Sequence, residues 1–267
     1  MSTFVLVGGS FLGAWAWERV TPLLTAYGHE VHPLTLTGFG DRAHLGSSAT
    51  TLTTHARDIA AAIEYAGLRD VTLVAHSYGG APATIAADTI PGRIARLVYV
   101  AATLPEPGRS LFDGMPGPVV ELVMGTVRDG RIPVMSDEVL DANFGRHGLS
   151  PEDRAWLRAR GVGQPIGTYQ DPAPSDLGAA RSLPRTYIAC AGDPPGPPLP
   201  QDLDVVTLDA GHWPMITAPH ALARTLHETT LTPDAPTPTP DASSRTPGAP
   251  TRTPDEAVRS LDEAVRS

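Results

Sequence analysis

Apolar and polar positions along the first hundred residues follow a strand-then-helix rhythm. Phe4-Val-Leu-Val7 is a short continuous apolar run that stops at Gly8-Gly9, as a buried strand does. Trp17, Val20, Leu23/Leu24 and Tyr27 then recur at helical spacing across 13–27, and Gly28 supplies a stop. Val31 to Thr35 reads as a second strand, followed by the turn-rich Gly38-Phe-Gly-Asp41. Thr51 or Thr53 can cap a helix running through Ala66, with Ile59, Ala62/Ile63 and Ala66 on one face. Val71 to Ala75 is a third strand, 78–90 its helix, and Leu97 to Ala101 a fourth strand. Strands alternating with helices at this spacing predict a mainly parallel sheet covered on both faces.

The rhythm breaks at Leu104. From there to about Pro184 the chain is rich in Pro and Gly, and the apolar positions predict helices at 119–124, 136–144 and 151–160. The last opens with Ser150-Pro-Glu-Asp153, which supplies a cap, a proline at the first helical position and acids in the first turn. A helical cap inserted before the last two strands follows. Its Met115, Met124, Met135, Phe144, Trp156 and Tyr169 either pack the cap onto itself or line an apolar pocket. The sheet resumes at Thr186 to Ala191, continues at Asp204 to Leu208 and closes with a helix over 219–228. The domain division is thus 1–103 and 186–231 for the core, with 104–185 as the cap.

Past Leu231 the pattern disappears. Residues 232–254 are Thr/Pro-rich with no apolar period, the composition of a disordered or polyproline-like linker. Asp-Glu-Ala-Val-Arg-Ser then occurs twice, at 255–260 and 262–267. Two heptads are too few for a stable isolated helix, so a frayed tail is the simpler reading. Weak self-association or docking through 255–267 is the alternative.

Composition narrows the function classes. A chain of 267 residues allows one α/β domain with an insertion, or two small domains. A net charge of −9 and a pI near 5.4 argue against nucleic acid or an anionic membrane as partner. The expected partner is a small-molecule substrate. The single Cys190 permits no internal disulfide and reads as a buried, reduced thiol. All twenty basic residues are Arg, so no lysine of this chain can form a Schiff base or act as general acid. No basic segment precedes the apolar stretch 4–17, and that stretch is too short to span a bilayer, so a cytoplasmic protein is expected. No His/Cys/Asp grouping has metal-ligand spacing, and Gly8-Gly9 lacks the dinucleotide fingerprint; neither metal nor cofactor is expected.

The chemistry centres on Val71-Thr-Leu-Val-Ala-His-Ser-Tyr-Gly-Gly80. An apolar strand runs into Ser77, with small Ala75 and Gly79 two positions to either side and an Ala-rich helix beyond. That is the nucleophile-elbow pattern, with Ala at its first small position. An ordinary strand–helix turn with a polar serine is the competing reading. A serine nucleophile needs a base, and the base needs an orienting acid. His212, in Gly211-His-Trp-Pro214, follows one strand end; Asp193 follows another. Asp202, Asp204, Asp209 and Glu106 are rival acids, and Asp209 is too close to His212 in sequence for comfortable geometry. The backbone N–H groups of Ser10 and Tyr78 are the candidate oxyanion hole. Gly9, Phe11 and Trp213 are candidate pocket residues. His76 adjoins Ser77 but is expected to point away from it; His55 is placed on a helix face, and His44 and His147 in loops.

These stretches, with Gly13-Ala-Trp-Ala-Trp17 and Tyr187-Ile-Ala-Cys-Ala-Gly-Asp193, resemble α/β-hydrolases of the esterase/hydroxynitrile-lyase branch over about residues 3–230. The resemblance implies the α/β-hydrolase fold and a serine hydrolase acting on an ester, thioester or lactone of a small apolar or aromatic metabolite. The family usually has His-Gly after the first strand, where this chain has Gly8-Gly9, and the proline run 194–200 replaces a usual helix. The lyases carry Thr and Lys where this chain has Gly9 and Trp213, which turns the resemblance toward the esterases. Two other readings stand beside hydrolysis: a lyase or cofactor-free oxygenase using His212 as base, and a non-catalytic metabolite-binding protein.

Overall fold

The central strand is apolar enough to be buried on both faces, and the sheet is built outward from it. In the computed structural model, which describes residues 1–194 and 196–231, β1 (Thr3–Val7), β2 (Glu30–Leu34), β3 (Val71–His76) and β4 (Ile94–Val100) alternate with helices. β5 (Arg131–Ile132) and β6 (Gln164–Pro165) form a separate antiparallel pair, and β7 (Arg185–Cys190) and β8 (Asp204–Leu208) return to the main sheet. The six-stranded sheet has the order β2-β1-β3-β4-β7-β8, every pair parallel. All six residues of β3 are buried. Pro33 sits in β2, an edge strand, where a missing N–H breaks no ladder.

Side-chain alternation sorts the core into two layers. Val5, Val7, Leu73, Ala75, Leu97 and Tyr99 face one side, where α2 (Leu52–Tyr65) and α3 (Gly80–Thr89) pack. Phe4, Leu6, Val74, Val98, Val100 and Ile188 face the other, against α1 (Thr21–Ala26), the short α9 (Pro214–Thr217) and the C-terminal α10 (Pro219–Thr229). The expected helix over 13–27 is two pieces, a 3₁₀ turn at Ala14–Trp17 and then α1. Pro22 accounts for the break: it has no N–H to donate and is tolerated only in the first turn of a new helix. Thr51 caps α2 and forms a capping box with Thr54.

Between β4 and β7 lie α4 (Gly117–Thr126), α5 (Asp137–Phe144), α6 (Pro151–Arg160), α7 (Gly167–Gln170) and α8 (Gly178–Arg181). Ser136 caps α5, and Ser150 with Asp153 closes a capping box on α6. The two short helices and the β5–β6 pair have too few residues to leave a periodic signal, and sequence reading passes over them. Arginines tie this insertion down. Arg131 donates to the carbonyls of Gly38, Ala43, Gly46 and Gly163 at 2.7–3.1 Å. Arg19 bridges Asp153 and the Ile216 carbonyl, both at 2.8 Å. The expected linker 232–254 and heptad segment 255–267 lie outside the described residues.

Arg131→Lys should therefore destabilise the protein. A lysine ammonium cannot reproduce the planar fork that reaches four carbonyls, and about 2 kcal/mol is at stake. Thermal melting should fall by roughly 5 °C for a domain of this size; an unchanged melting temperature would contradict the clamp.

Candidate active site

In a parallel sheet every strand delivers its C-terminal end to the same edge, so residues distant in sequence meet there. Ser77 follows His76 at the end of β3 with φ +50°, in the left-handed region that a serine adopts only under constraint. Tight packing supplies the constraint. A β-carbon on Gly79 would come within 2.6 Å of the Gly8 carbonyl, and one on Gly80 within 2.6 Å of the Thr103 carbonyl. A β-carbon on Gly9 would meet both Ser77 Cβ and His76 Nδ1 at 2.8 Å. Gly9 is thus required for the approach of the β1 loop to Ser77.

The Ser77 hydroxyl lies 3.0 Å from His212 Nε2, and His212 Nδ1 lies 3.0 Å from each carboxylate oxygen of Asp193. A carboxylate only accepts, so Nδ1 carries the proton and Nε2 accepts from the Ser77 O–H. The proline run after Asp193 leaves the carboxylate aimed at the imidazole. Among the rival acids, Asp202 pairs with Arg185 and Glu106 with Arg109. His212 is buried, whereas Ser77 and Asp193 are partly open.

Aromatic rings fix the imidazole. Phe144 of α5 lies over it at 4.4 Å between centroids, and Trp213 meets it edge-on at 4.8 Å. Trp213 is itself buried in the core layer beside α10. His147 also packs edge-on to Trp213, and its backbone carbonyl occupies the place a Gly211 side chain would need. His147 lies in a loop, as its sequence context predicts, but it is buried and bonded to Asp141.

His76 points beneath the site rather than at Ser77. Its Nε2–H donates to the His212 carbonyl at 2.7 Å, so it braces the His212 backbone. Burial, then the neighbouring His212, holds its pKa well below the ordinary imidazole value. His55 on α2 is likewise buried. It donates from Nε2 to the Thr37 carbonyl and accepts the Tyr78 hydroxyl at Nδ1, 2.8 Å away. Burial pulls its pKa down to about 4, against a smaller opposing effect of the Thr37 bond. Cys190 ends β7 and is buried; desolvation and the Asp193 carboxylate push its thiol up to about 12, which makes it a poor nucleophile.

Ser10 and Phe11 lie in the turn after β1. The Gly9 carbonyl accepts from Leu12 N–H at 3.2 Å, and Phe11 has φ +71°. The Ser10 N–H has no acceptor among the described residues. The Phe11 side chain is buried. No cluster of three or more His, Cys, Asp or Glu among the described residues has the geometry to hold a metal ion. No described helix is long and apolar enough to cross a membrane. A crevice of about 860 Å³ opens between Trp15, Thr35, Arg42 and Arg160 and is lined by none of Ser77, Asp193 or His212.

Residues 4–225 match the alpha/beta hydrolase family. The chain belongs to that family. The α/β hydrolase is 34% identical to a carbendazim hydrolyzing esterase of Nocardioides sp., over 85% of its own length and 98% of that protein's. It is 29% identical to methylesterase 9 of Arabidopsis thaliana, over 85% and 97% of the two chains. Its fold superposes on an extracellular α/β-hydrolase from a Paenibacillus species with a TM-score of 0.75, at 21% identity over 85% of this chain and 98% of that one. Kinship to esterases over most of the chain makes this α/β hydrolase an enzyme of the carboxylic-ester hydrolase type.

The buried neutral histidines set an acid limit on stability. His55 has a folded-state pKa of about 4 against 6.5 unfolded, so below pH 6.5 the unfolded chain takes up the proton first. Its contribution is intact above pH 6.5 and falls by on the order of 3 kcal/mol as pH drops to 4. The melting temperature should fall across that window, and less steeply in His55→Gln. A flat profile between pH 6.5 and 4 would contradict the assignment.

Proposed function

We propose that this hydrolase cleaves an ester, thioester or lactone of a small apolar or aromatic metabolite through a Ser77–His212–Asp193 triad. The observation that carries the reading is the unbroken hydrogen-bond chain from the Ser77 hydroxyl through His212 to both oxygens of Asp193. Ser77 attacks the acyl carbonyl while His212 Nε2 takes its proton. Asp193 holds Nδ1–H in place and stabilises the imidazolium that forms. The carbonyl oxygen becomes an anion, received by the N–H groups of Ser10 and Tyr78 at the start of the β1 loop and of the helix after Ser77. His212 then returns the proton to the leaving alcohol or thiol. Water, activated by the same imidazole, releases the acid and restores Ser77.

The segment 104–185 acts as the cap over this site, and 1–103 with 186–231 as the catalytic core. The names of the esterase and methylesterase relatives put methyl esters first in a substrate panel that varies acyl length and aromaticity. Against the best ester of that panel, Ser77→Ala should abolish turnover and Asp193→Asn should lower kcat by about 10⁴-fold. Retention of turnover by Ser77→Ala would instead favour chemistry in which His212 alone is the base. Near-normal kcat in Asp193→Asn would move the orienting role to another carboxylate.

A further inference from the structure

The turn that carries Ser10 is strained. Phe11, a bulky residue, is held at φ +71°, a conformation that costs on the order of 1–2 kcal/mol outside glycine. Left to itself, such a turn relaxes, and the direction of the Ser10 N–H changes with it. Two bonds from the 104–185 insertion hold it. The Phe11 carbonyl accepts from Val162 N–H at 3.0 Å, and the Ser10 hydroxyl is 2.8 Å from the Tyr169 hydroxyl.

Tyr169 is unusually well fixed for a residue on a four-residue helix. Its ring stacks on Tyr78 at 5.8 Å and 8°, and Phe112 leans on it at 5.4 Å. α7 sits hard against the core: a side chain at Gly167 would press into the carbonyls of Thr50 and Ser48, at 2.7 and 2.8 Å. Asp171, just after α7, accepts from Thr53 N–H at 2.8 Å. Tyr78 is anchored in turn by His55, which is bonded to the Thr37 carbonyl. One continuous set of contacts therefore runs from Ser10 through the Tyr169/Tyr78 stack to α2. It joins the two residues proposed to supply the oxyanion-hole N–H groups.

We propose that Tyr169 is a positioning residue for the oxyanion hole, acting through the side chain of Ser10. The inference rests on the proposed Ser77 hydrolysis. Tyr169 need not touch the substrate. Its hydroxyl holds the Ser10 side chain, and with it the strained turn, so that the Ser10 N–H points to where negative charge develops. A hydrogen bond weakens steeply once its donor swings off line, and this one gains its full value only in the transition state. Losing the brace should therefore lower kcat and leave KM unchanged.

A double-mutant cycle on the full chain tests this. Tyr169→Phe keeps the ring and its stack but removes the hydroxyl; Ser10→Ala keeps the backbone N–H but removes the partner. Each should lower kcat about tenfold, the weight of one ordinary hydrogen bond, with KM unchanged. The double variant should be no slower than either single, because both remove the same brace. Multiplied losses, a change confined to KM, or wild-type kcat in Tyr169→Phe would overturn the proposal. If Tyr169→Phe melts early, Ser10→Ala decides from the other side of the bond: wild-type kcat there overturns it equally. Wild-type turnover in Ser77→Ala would sink the hydrolytic reading as well, whereas an inactive Ser77→Ala beside a fully active Tyr169→Phe would sink only this inference.

Discussion

A side-chain-bearing residue at φ +50° costs energy, and Ser77 is held there between a fully buried strand and a helix. The backbone must reverse direction within one residue at the edge of the sheet, and the space to do so exists only because its neighbours lack side chains. Gly79 clears the Gly8 carbonyl, Gly80 clears Thr103, and Gly9 clears Ser77 itself. The strain is sustained by what surrounds it. β3 is buried on both faces and paired along its length to β1 and β4, so the turn cannot relax without disturbing the core. In return the hydroxyl stands clear of the sheet and within reach of His212.

The same edge carries a second feature, neutral histidine in apolar surroundings. His76 and His55 are buried without a carboxylate bonded to either ring, and desolvation keeps both uncharged. His76 holds the His212 backbone and His55 holds the Tyr78 side chain. His212 differs from them in having a carboxylate bonded to it. Environment alone distinguishes the three imidazoles: two are buried with no carboxylate on the ring, and one is hydrogen-bonded to Asp193. With no lysine in the chain, cationic anchoring falls to arginine. Arg131 and Arg19 secure the insertion through carbonyls and an aspartate.

What was legible in the sequence was what local signals encode. The apolar runs and their stops locate the six sheet strands to within a few residues; of the candidate caps Thr51 and Thr53 the structure uses Thr51, and it and Ser150 both form capping boxes. Ser77, Asp193 and His212 were readable because each follows a strand end, and a parallel sheet must bring such ends together. What escaped was tertiary. Pro22 splits a pattern whose periodicity alone suggests one helix. α7, α8 and the β5–β6 pair are too short to show a period. By sequence Tyr169 is one more aromatic of the insertion, because nothing near it reveals that Ser10, 159 positions earlier, meets its hydroxyl. His76 was expected to turn away from Ser77, but the carbonyl it would meet could be known only once the His212 loop was in place.

If Ser77 is an activated nucleophile, a fluorophosphonate probe should react with it. Intact-mass and peptide mapping after reaction with the folded chain should show one adduct, on the peptide containing Ser77, and none in Ser77→Ala. A folded protein that stays unlabelled, or an adduct on another residue such as Ser10, would contradict the account.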